Sequence, residues 1–219
     1  MSDQSKFRAI IFDMDGVIVD SEPLHELAFM ETFHELGYGQ THGIRFADYL
    51  GRSDRAVWEA FIAKHRPSQS FDELTDLKES RLIGMLHERK PLFAPVPDLI
   101  RDLAARYPLA LASGSVHRVI SAVLEIGDLR KYFGPVVSAQ DVTHGKPSPD
   151  IFLRAASLLN VPPESCCVIE DTVAGVTAGR AAGMHVIAIT NTYPAAALHQ
   201  AHQIVDSYEP IARLLLQGN

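Results

Sequence analysis

Residues 7–16 read Phe7-Arg8-Ala9-Ile10-Ile11-Phe12-Asp13-Met14-Asp15-Gly16, an apolar run that stops on two aspartates and a glycine. A short apolar run of this kind, bounded by turn residues, predicts a buried strand from Phe7 to Phe12. The same pattern recurs at Leu109 to Ala112, Pro135 to Val137, Cys166 to Ile169 and Val186 to Ile189. Between the later runs apolar residues adopt helical spacing: Val116, Ile120, Val123 and Leu124, then Ile151, Ala155, Leu158 and Leu159, then Val173, Val176, Ala178 and Ala181. Strand alternating with helix implies right-handed crossovers, hence an α/β fold: a Rossmann-like parallel sheet with helices on both faces. The tail from Pro194 onward, with Ile204, Val205, Ile211, Leu214 and Leu215, predicts a last short strand and helix at the edge of that core.

One region interrupts the alternation. From about Asp20 to Glu88 the periodicity is helical, with stripes at Leu24, Leu27, Ala28 and Phe33, at Ala56, Ala60 and Phe61, and at Leu74, Leu77, Arg81, Leu82, Met85 and Leu86. This predicts two units: a core from residues 1–19 and 89–219, and an inserted all-helical cap domain at 20–88. The proline-rich Lys90 to Asp98 reads as the return linker.

The chain has 219 residues, 47% hydrophobic and 21% charged, enough for a proper core without staples. Its 20 Lys and Arg against 27 Asp and Glu leave a net charge of −7 with no basic tail, which argues against nucleic acid or an anionic membrane as partner. The two cysteines, Cys166 and Cys167, are adjacent in an apolar run and build no disulfide framework. The N-terminal apolar stretch is too short for a signal sequence or membrane span, so the expectation is a cytoplasmic protein, with a monomer as the default state.

In open parallel sheets, ligands bind beyond the carboxyl ends of the strands. The residues that follow the predicted strands are therefore the informative ones. They are Asp13-Met14-Asp15-Gly16, then Ser113-Gly114-Ser115, then Glu170-Asp171-Thr172, with Gly145-Lys146-Pro147-Ser148-Pro149-Asp150 leading from the third strand into a helix. Clustered carboxylates on one rim repel one another unless a cation sits among them, and an all-oxygen set suits Mg²⁺. Lys146, Ser113 and backbone N–H groups near Asp15 and Gly114 would then donate to an anion beside the metal, for which phosphate is the best match. Asp13 can face the phosphorus as nucleophile, and Asp15 can protonate the leaving oxygen and later deprotonate water. Gly16 allows the sharp turn after the strand.

The segments FDMDGVIVDSEPLH, ASGS, GKPSPDIF and VIEDTVAGVTAGRAAGM resemble, in order, the four motifs of the haloacid dehalogenase superfamily. The likeness is greatest to the branch with β-phosphoglucomutase and related sugar-phosphate phosphatases. It covers most of the chain and is weakest from Gly37 to Lys90 and after Asn191. The resemblance implies a Rossmann-like core with a small helical cap that closes over it, and Mg²⁺ as cofactor. It implies that Asp13 is the phosphorylated nucleophile and Asp15 the general acid/base whose main-chain carbonyl also binds the metal. By the same resemblance Ser113, Gly114 and Lys146 hold the phosphoryl group, and Asp13, Glu170 and Asp171 complete the metal set, Glu170 directly or through water. The family's dehalogenases generally lack the second aspartate, whereas Asp15 is present here. Its phosphonate hydrolases need a Schiff-base lysine in the cap, and neither Lys64 nor Lys78 stands in a matching context.

In the cap, His25 coincides with a histidine that assists the mutase, and the loop Gly51-Arg52-Ser53 matches the substrate-specificity loop. Trp58 reads as cap core. A mutase holds two phosphates at once and carries cations for the second. Here Leu50 and Asp54 stand at two of those positions, and Val116 and His117 replace a lysine and an asparagine. The expected activity is hydrolysis of a small phosphorylated metabolite, a sugar or polyol phosphomonoester, through an aspartyl-phosphate; the alternative is a sugar phosphomutase.

Overall fold

The computed structural model describes residues 7–49 and 54–217. The chain divides into two compact units, Met1–Asp20 with Pro91–Asn219, and Ser21–Lys90.

The first unit contains a six-stranded parallel sheet of β1 (Ala9–Phe12), β2 (Leu109–Ala112), β3 (Phe133–Val137), β4 (Cys166–Glu170), β5 (His185–Ile189) and β6 (Gln203–Val205). The order is β3-β2-β1-β4-β5-β6, so β1 lies centrally and the direction of winding reverses between β1 and β4. That reversal leaves a crevice at the carboxyl ends of the two strands, the place where such sheets bind ligands. Register brings the ends level: Phe12 pairs with Ile169 on one side and Leu111 on the other. The N–H of Asp13 donates to Ile169 O at 3.0 Å, and that of Ser113 to Val137 O at 3.0 Å.

Every residue of β1, β2 and β4 is buried, which is why these strands read as continuous apolar runs. One layer of the core joins Ile11, Ala110 and Val168 to α6 (Asp150–Leu159) and α7 (Val173–Ala181). The remaining helices of this unit are α4 (Val96–Ala104), α5 (His117–Ile126) and α8 (Tyr208–Leu216). The expected linker from Lys90 to Asp98 is corrected here, because α4 starts within it. Pro95 is its N-cap and Pro97 lies in its first turn, where a missing N–H costs nothing. Strand β1 begins two residues later than the sequence predicts and β3 two residues earlier.

The second unit is helical: α1 (Glu22–Glu35), α2 (Asp54–His65) and α3 (Phe71–Arg89). Ser70 and Glu73 form a capping box at the start of α3, and Lys90 closes it in the left-handed conformation. An aromatic core of Phe29, Phe33, Trp58 and Phe61 holds the unit together; Trp58 is fully buried, 4.9 Å from the Phe29 ring. The apolar stripe expected on α3 is adjusted: Lys78 and Glu79 lie buried on it, whereas Arg81 is half-buried and pairs with Glu31 at 3.3 Å and with Glu35. Among the described residues no helix is long and apolar enough to cross a membrane.

Candidate active site

Strand β1 delivers Asp13 to the crevice, and the chain then turns sharply. The Met14 carbonyl accepts from the N–H groups of Val17, Ile18 and Val19, and Gly16 N–H donates to Val19 O at 2.8 Å. Gly16 sits at φ +76°, and a Cβ there would lie 1.9 Å from Asp171 Oδ2. The glycine is thus required twice, for the backbone conformation and for the carboxylate beside it.

Asp13, Glu170 and Asp171 present oxygens within 4.8 Å of one another, and all three side chains are buried. Lys146 is the cation among them. Its ammonium donates to Asp13 Oδ1 and to Glu170 Oε1, the latter at 2.7 Å, and it lies 4.9 Å from the centre of the Phe152 ring, a cation–π contact. Burial alone would lower the Lys146 pKa, but Asp13 and Glu170 hold it above the ordinary lysine value. Glu170 Oε2 accepts from the N–H groups of Asp171 and Thr172, both at 2.7 Å, and from the Thr172 hydroxyl at 3.0 Å. This carboxylate therefore ties the start of α7 to the lysine, a favourable place for an anion.

One lysine does not balance three carboxylates. Burial pushes the Asp13 carboxyl up to about 7, Lys146 opposing and Glu170 and Asp15 adding to the rise. Burial, followed by Glu170 and Asp13, raises Asp171 well above its ordinary value. Among the described residues neither buried Asp171 oxygen has a hydrogen-bond partner of good geometry, and the nearby Thr192 hydroxyl only weakly opposes the rise. Buried, unpartnered carboxylate oxygens gathered around one point are the donor set of a hard divalent cation, and the residues fit Mg²⁺. The ion would supply positive charge that offsets these carboxylates and an approaching phosphate.

On the other side of the crevice Ser113, Gly114 and Ser115 follow β2. Ser113 is fully buried, and its hydroxyl accepts from Ser115 N–H at 3.0 Å and reaches Asp15 Oδ2 at 3.3 Å. Ser115, which the sequence motif does not single out, donates its hydroxyl to the same Asp15 oxygen at 2.9 Å. Gly114 is exposed, and a Cβ there would meet nothing within 4 Å, so its backbone faces open space. Asp13, Asp15, Ser113, Gly114, Lys146, Glu170 and Asp171 thus come together in one unit. Gly51, Arg52 and Ser53 lie outside the described residues. A further contributor is Gly175, which lies within the fourth motif without a role read from it: its Cβ would fall 1.5 Å from Glu170 Oε1, so only glycine lets α7 approach that carboxylate.

His25 lies in the helical unit, and its Nδ1 is 2.7 Å from the ammonium of Lys78 and 3.6 Å from Asp54 Oδ1. Lys78 is fully buried and donates to Asp54 Oδ2 at 2.6 Å. Lys78, unmatched in the sequence, thus anchors α3 to α2 by an ion pair that a buried cation requires. Burial works against the charge on Asp54, yet Lys78 and His25 hold its carboxyl well below the usual range. A folded pKa below the unfolded value adds stability that is complete above about pH 5 and is lost progressively as pH falls through the unfolded value toward the folded one. The Asp54 side chain is 36% exposed, so solvent screens the pair. Between pH 5 and 3 the melting temperature should therefore fall somewhat more steeply for the parent than for Asp54→Asn; parallel curves would show the pair is neutral.

Comparison with known proteins agrees with this constellation. The model of the haloacid dehalogenase-like hydrolases matches residues 7–183. Fructose-1-phosphate phosphatase YqaB of Escherichia coli is 35% identical over 187 residues, which cover 83% of this chain and 96% of that protein. Hexitol phosphatase B of Escherichia coli is 34% identical, covering 86% of each chain. Among solved structures, a protein described as a putative β-phosphoglucomutase from Thermotoga maritima superposes with a TM-score of 0.76 at 28% identity, covering 97% of this chain and 100% of that one. An aspartate after β1, a serine after β2, a lysine before α6 and paired acids after β4, with a family match across all four, place the chain in one group: it belongs to the haloacid dehalogenase-like hydrolases.

Proposed function

We propose that this chain is a Mg²⁺-dependent phosphatase that hydrolyses a small sugar or polyol phosphomonoester through a phosphoryl group carried on Asp13. The observation that carries the reading is the cluster of Asp13, Lys146 and the Glu170–Asp171 pair, with the Asp15 carboxylate held by Ser113 and Ser115. The named relatives, phosphatases of fructose 1-phosphate and of hexitol phosphates, support the substrate class.

In the first half-reaction Asp13 Oδ2, the oxygen not engaged by Lys146, forms a bond to phosphorus as the bond to the ester oxygen breaks. Asp15 in its protonated form gives that proton to the departing alkoxide, which leaves as an alcohol. In the second half Asp15, now a carboxylate, takes a proton from water as the water oxygen attacks phosphorus; the phosphorus–Asp13 oxygen bond breaks, freeing phosphate. Lys146 and the Ser113 hydroxyl are assigned to the phosphoryl oxygens, where charge is spread during transfer. Asp13, Asp171 and Glu170, with the main-chain carbonyl of Asp15, are assigned to the metal.

Hydrolysis is favoured over phosphomutase action by the start of α5. His117 pairs through Nε2 with Asp141 at 2.9 Å, and its N–H donates to Gln140 Oε1 at 3.0 Å. A second phosphate at that helix start would meet a carboxylate and an occupied N–H rather than free cations.

The test is release of inorganic phosphate from a panel of sugar, polyol and nucleotide monophosphates with and without Mg²⁺. Metal-dependent release that disappears on chelation and is greatest with sugar or hexitol phosphates is the expected outcome. Interconversion of hexose phosphate isomers primed by a bisphosphate, with no net phosphate release, would overturn it in favour of the mutase.

A further inference from the structure

The turn that carries Asp13 and Asp15 leaves two carbonyls facing away from its own hydrogen bonds. Gly16 O accepts from the side-chain amide of Asn191 at 2.7 Å, and Val17 O accepts from the phenol of Tyr208 at 2.9 Å. The two donors are themselves joined, Asn191 Nδ2 donating to Tyr208 Oη at 2.8 Å. The proton directions are consistent throughout. Tyr208 gives its one proton to Val17 O and can only accept from Asn191, and an amide that faces two oxygens must present its NH₂. Val17 is fully buried and Tyr208 is 8% exposed, so neither water nor another side chain takes over these bonds cheaply. Burial also keeps the phenol protonated, raising its pKa well above the ordinary tyrosine value despite the opposing Asn191 contact.

Asn191 follows β5 and Tyr208 opens α8, 191 positions along the chain from Val17. Both lie beyond residues 7–183, the stretch that the family model matches. The motif turn is thus secured from a part of the chain that the motifs do not include.

We infer that Tyr208 and Asn191 are positioning residues for phosphoryl transfer, a clamp that holds the Asp13–Val17 turn so that Asp13 and Asp15 keep their places. The inference rests on the phosphatase reading for its kinetic consequence and on geometry alone for the clamp. Two consecutive carbonyls fixed from outside define the path of the backbone directly after Asp15, and hence where its carboxylate sits relative to Ser115. Reacting groups displaced by about 1 Å lose up to ~10²-fold in rate, and binding of substrate need not change with them.

The fold contains its own control. Tyr107, also buried, donates its hydroxyl to Leu215 O at 2.7 Å near the other end of α8. Tyr107→Phe therefore loosens the same helix by the same chemical change without touching the turn. Phosphate release, melting temperature and amide hydrogen exchange are to be measured on the full chain for Tyr208→Phe, Tyr107→Phe and Asn191→Ala. Tyr208→Phe is expected to lower kcat about tenfold or more, with KM within about twofold, and to speed exchange at the N–H groups of Gly16 to Val19. Tyr107→Phe is expected to lower the melting temperature and leave kcat and that exchange as in the parent. Asn191→Ala, at an exposed position, carries the test if Tyr208→Phe does not fold, and should show the same kcat loss in weaker form. Equal losses in the two tyrosine variants would overturn the clamp in favour of general loosening of α8, as would parent-like kcat and exchange in Tyr208→Phe. Should the parent release no phosphate from any substrate, the phosphatase reading fails, and the exchange rates still decide whether the clamp exists.

Discussion

Asp13→Asn is expected to abolish phosphate release, a loss of about 10⁴-fold or more of the kind seen when a covalent nucleophile is removed. The amide is nearly isosteric with the carboxylate, so the strand end and the turn after it keep their shape. It also removes one of three buried carboxylates that share a single lysine, so the melting temperature should not fall. Intact-mass measurement adds a second reading. Briefly mixed with substrate and quenched in acid, the parent should carry one additional phosphoryl group, and the variant none. Turnover within an order of magnitude of the parent, or phosphoryl label on Asp13→Asn, would move the nucleophile elsewhere in the crevice.

Gly175→Ala tests the site from a helix rather than from the chemistry. The new Cβ would fall 1.5 Å from Glu170 Oε1 and 1.8 Å from its carboxyl carbon, and Glu170 is fully buried. Either α7 shifts or the carboxylate leaves the N–H groups of Asp171 and Thr172 and the ammonium of Lys146. Breaking a buried, hydrogen-bonded ion pair costs about 3 kcal/mol or more, which at this chain length lowers the melting temperature by about 6 °C or more. Asp171 moves with α7, so phosphate release and the Mg²⁺ concentration needed for it should both worsen, the rate by about 10²-fold. These losses are expected whichever monophosphate is the substrate. A melting temperature within about 1 °C of the parent, with unchanged Mg²⁺ dependence, would show that Glu170 is not an anchor for α7.

The parallel core was legible because β1, β2 and β4 are buried along their whole length, which turns each into an uninterrupted apolar run with its functional residues at one end. Asp13, Ser113 and the Glu170–Asp171 pair could be picked out for the same reason, since the end of a buried strand is where apolar sequence gives way to polar. Helix α4 is not legible in the sequence, because its prolines look like breakers unless their place in the first turn is known. The burial of Lys78 is not legible in the sequence, because a lone lysine among apolar residues usually sits on the surface. Only the packing of α3 against α1 and α2 shows it buried between Asp54 and His25.

Residue order along the chain, through periodicity and strand-end chemistry, determined the layered α/β core, the helical insertion and the four loops that carry acids, serine and lysine. Those properties are local: they depend on which neighbours a residue has within a strand or a helical turn. Tertiary structure alone decided the relations between distant segments. It set the register that levels Phe12 with Ile169 and Leu111, and the lack of space that makes Gly16 and Gly175 obligatory beside Asp171 and Glu170. It also brought Ser115 to Asp15, and Asn191 and Tyr208 to the carbonyls of Gly16 and Val17. A glycine, a tyrosine and an asparagine carry no signature of such roles, because steric exclusion and hydrogen bonding act through space between groups that the sequence holds far apart.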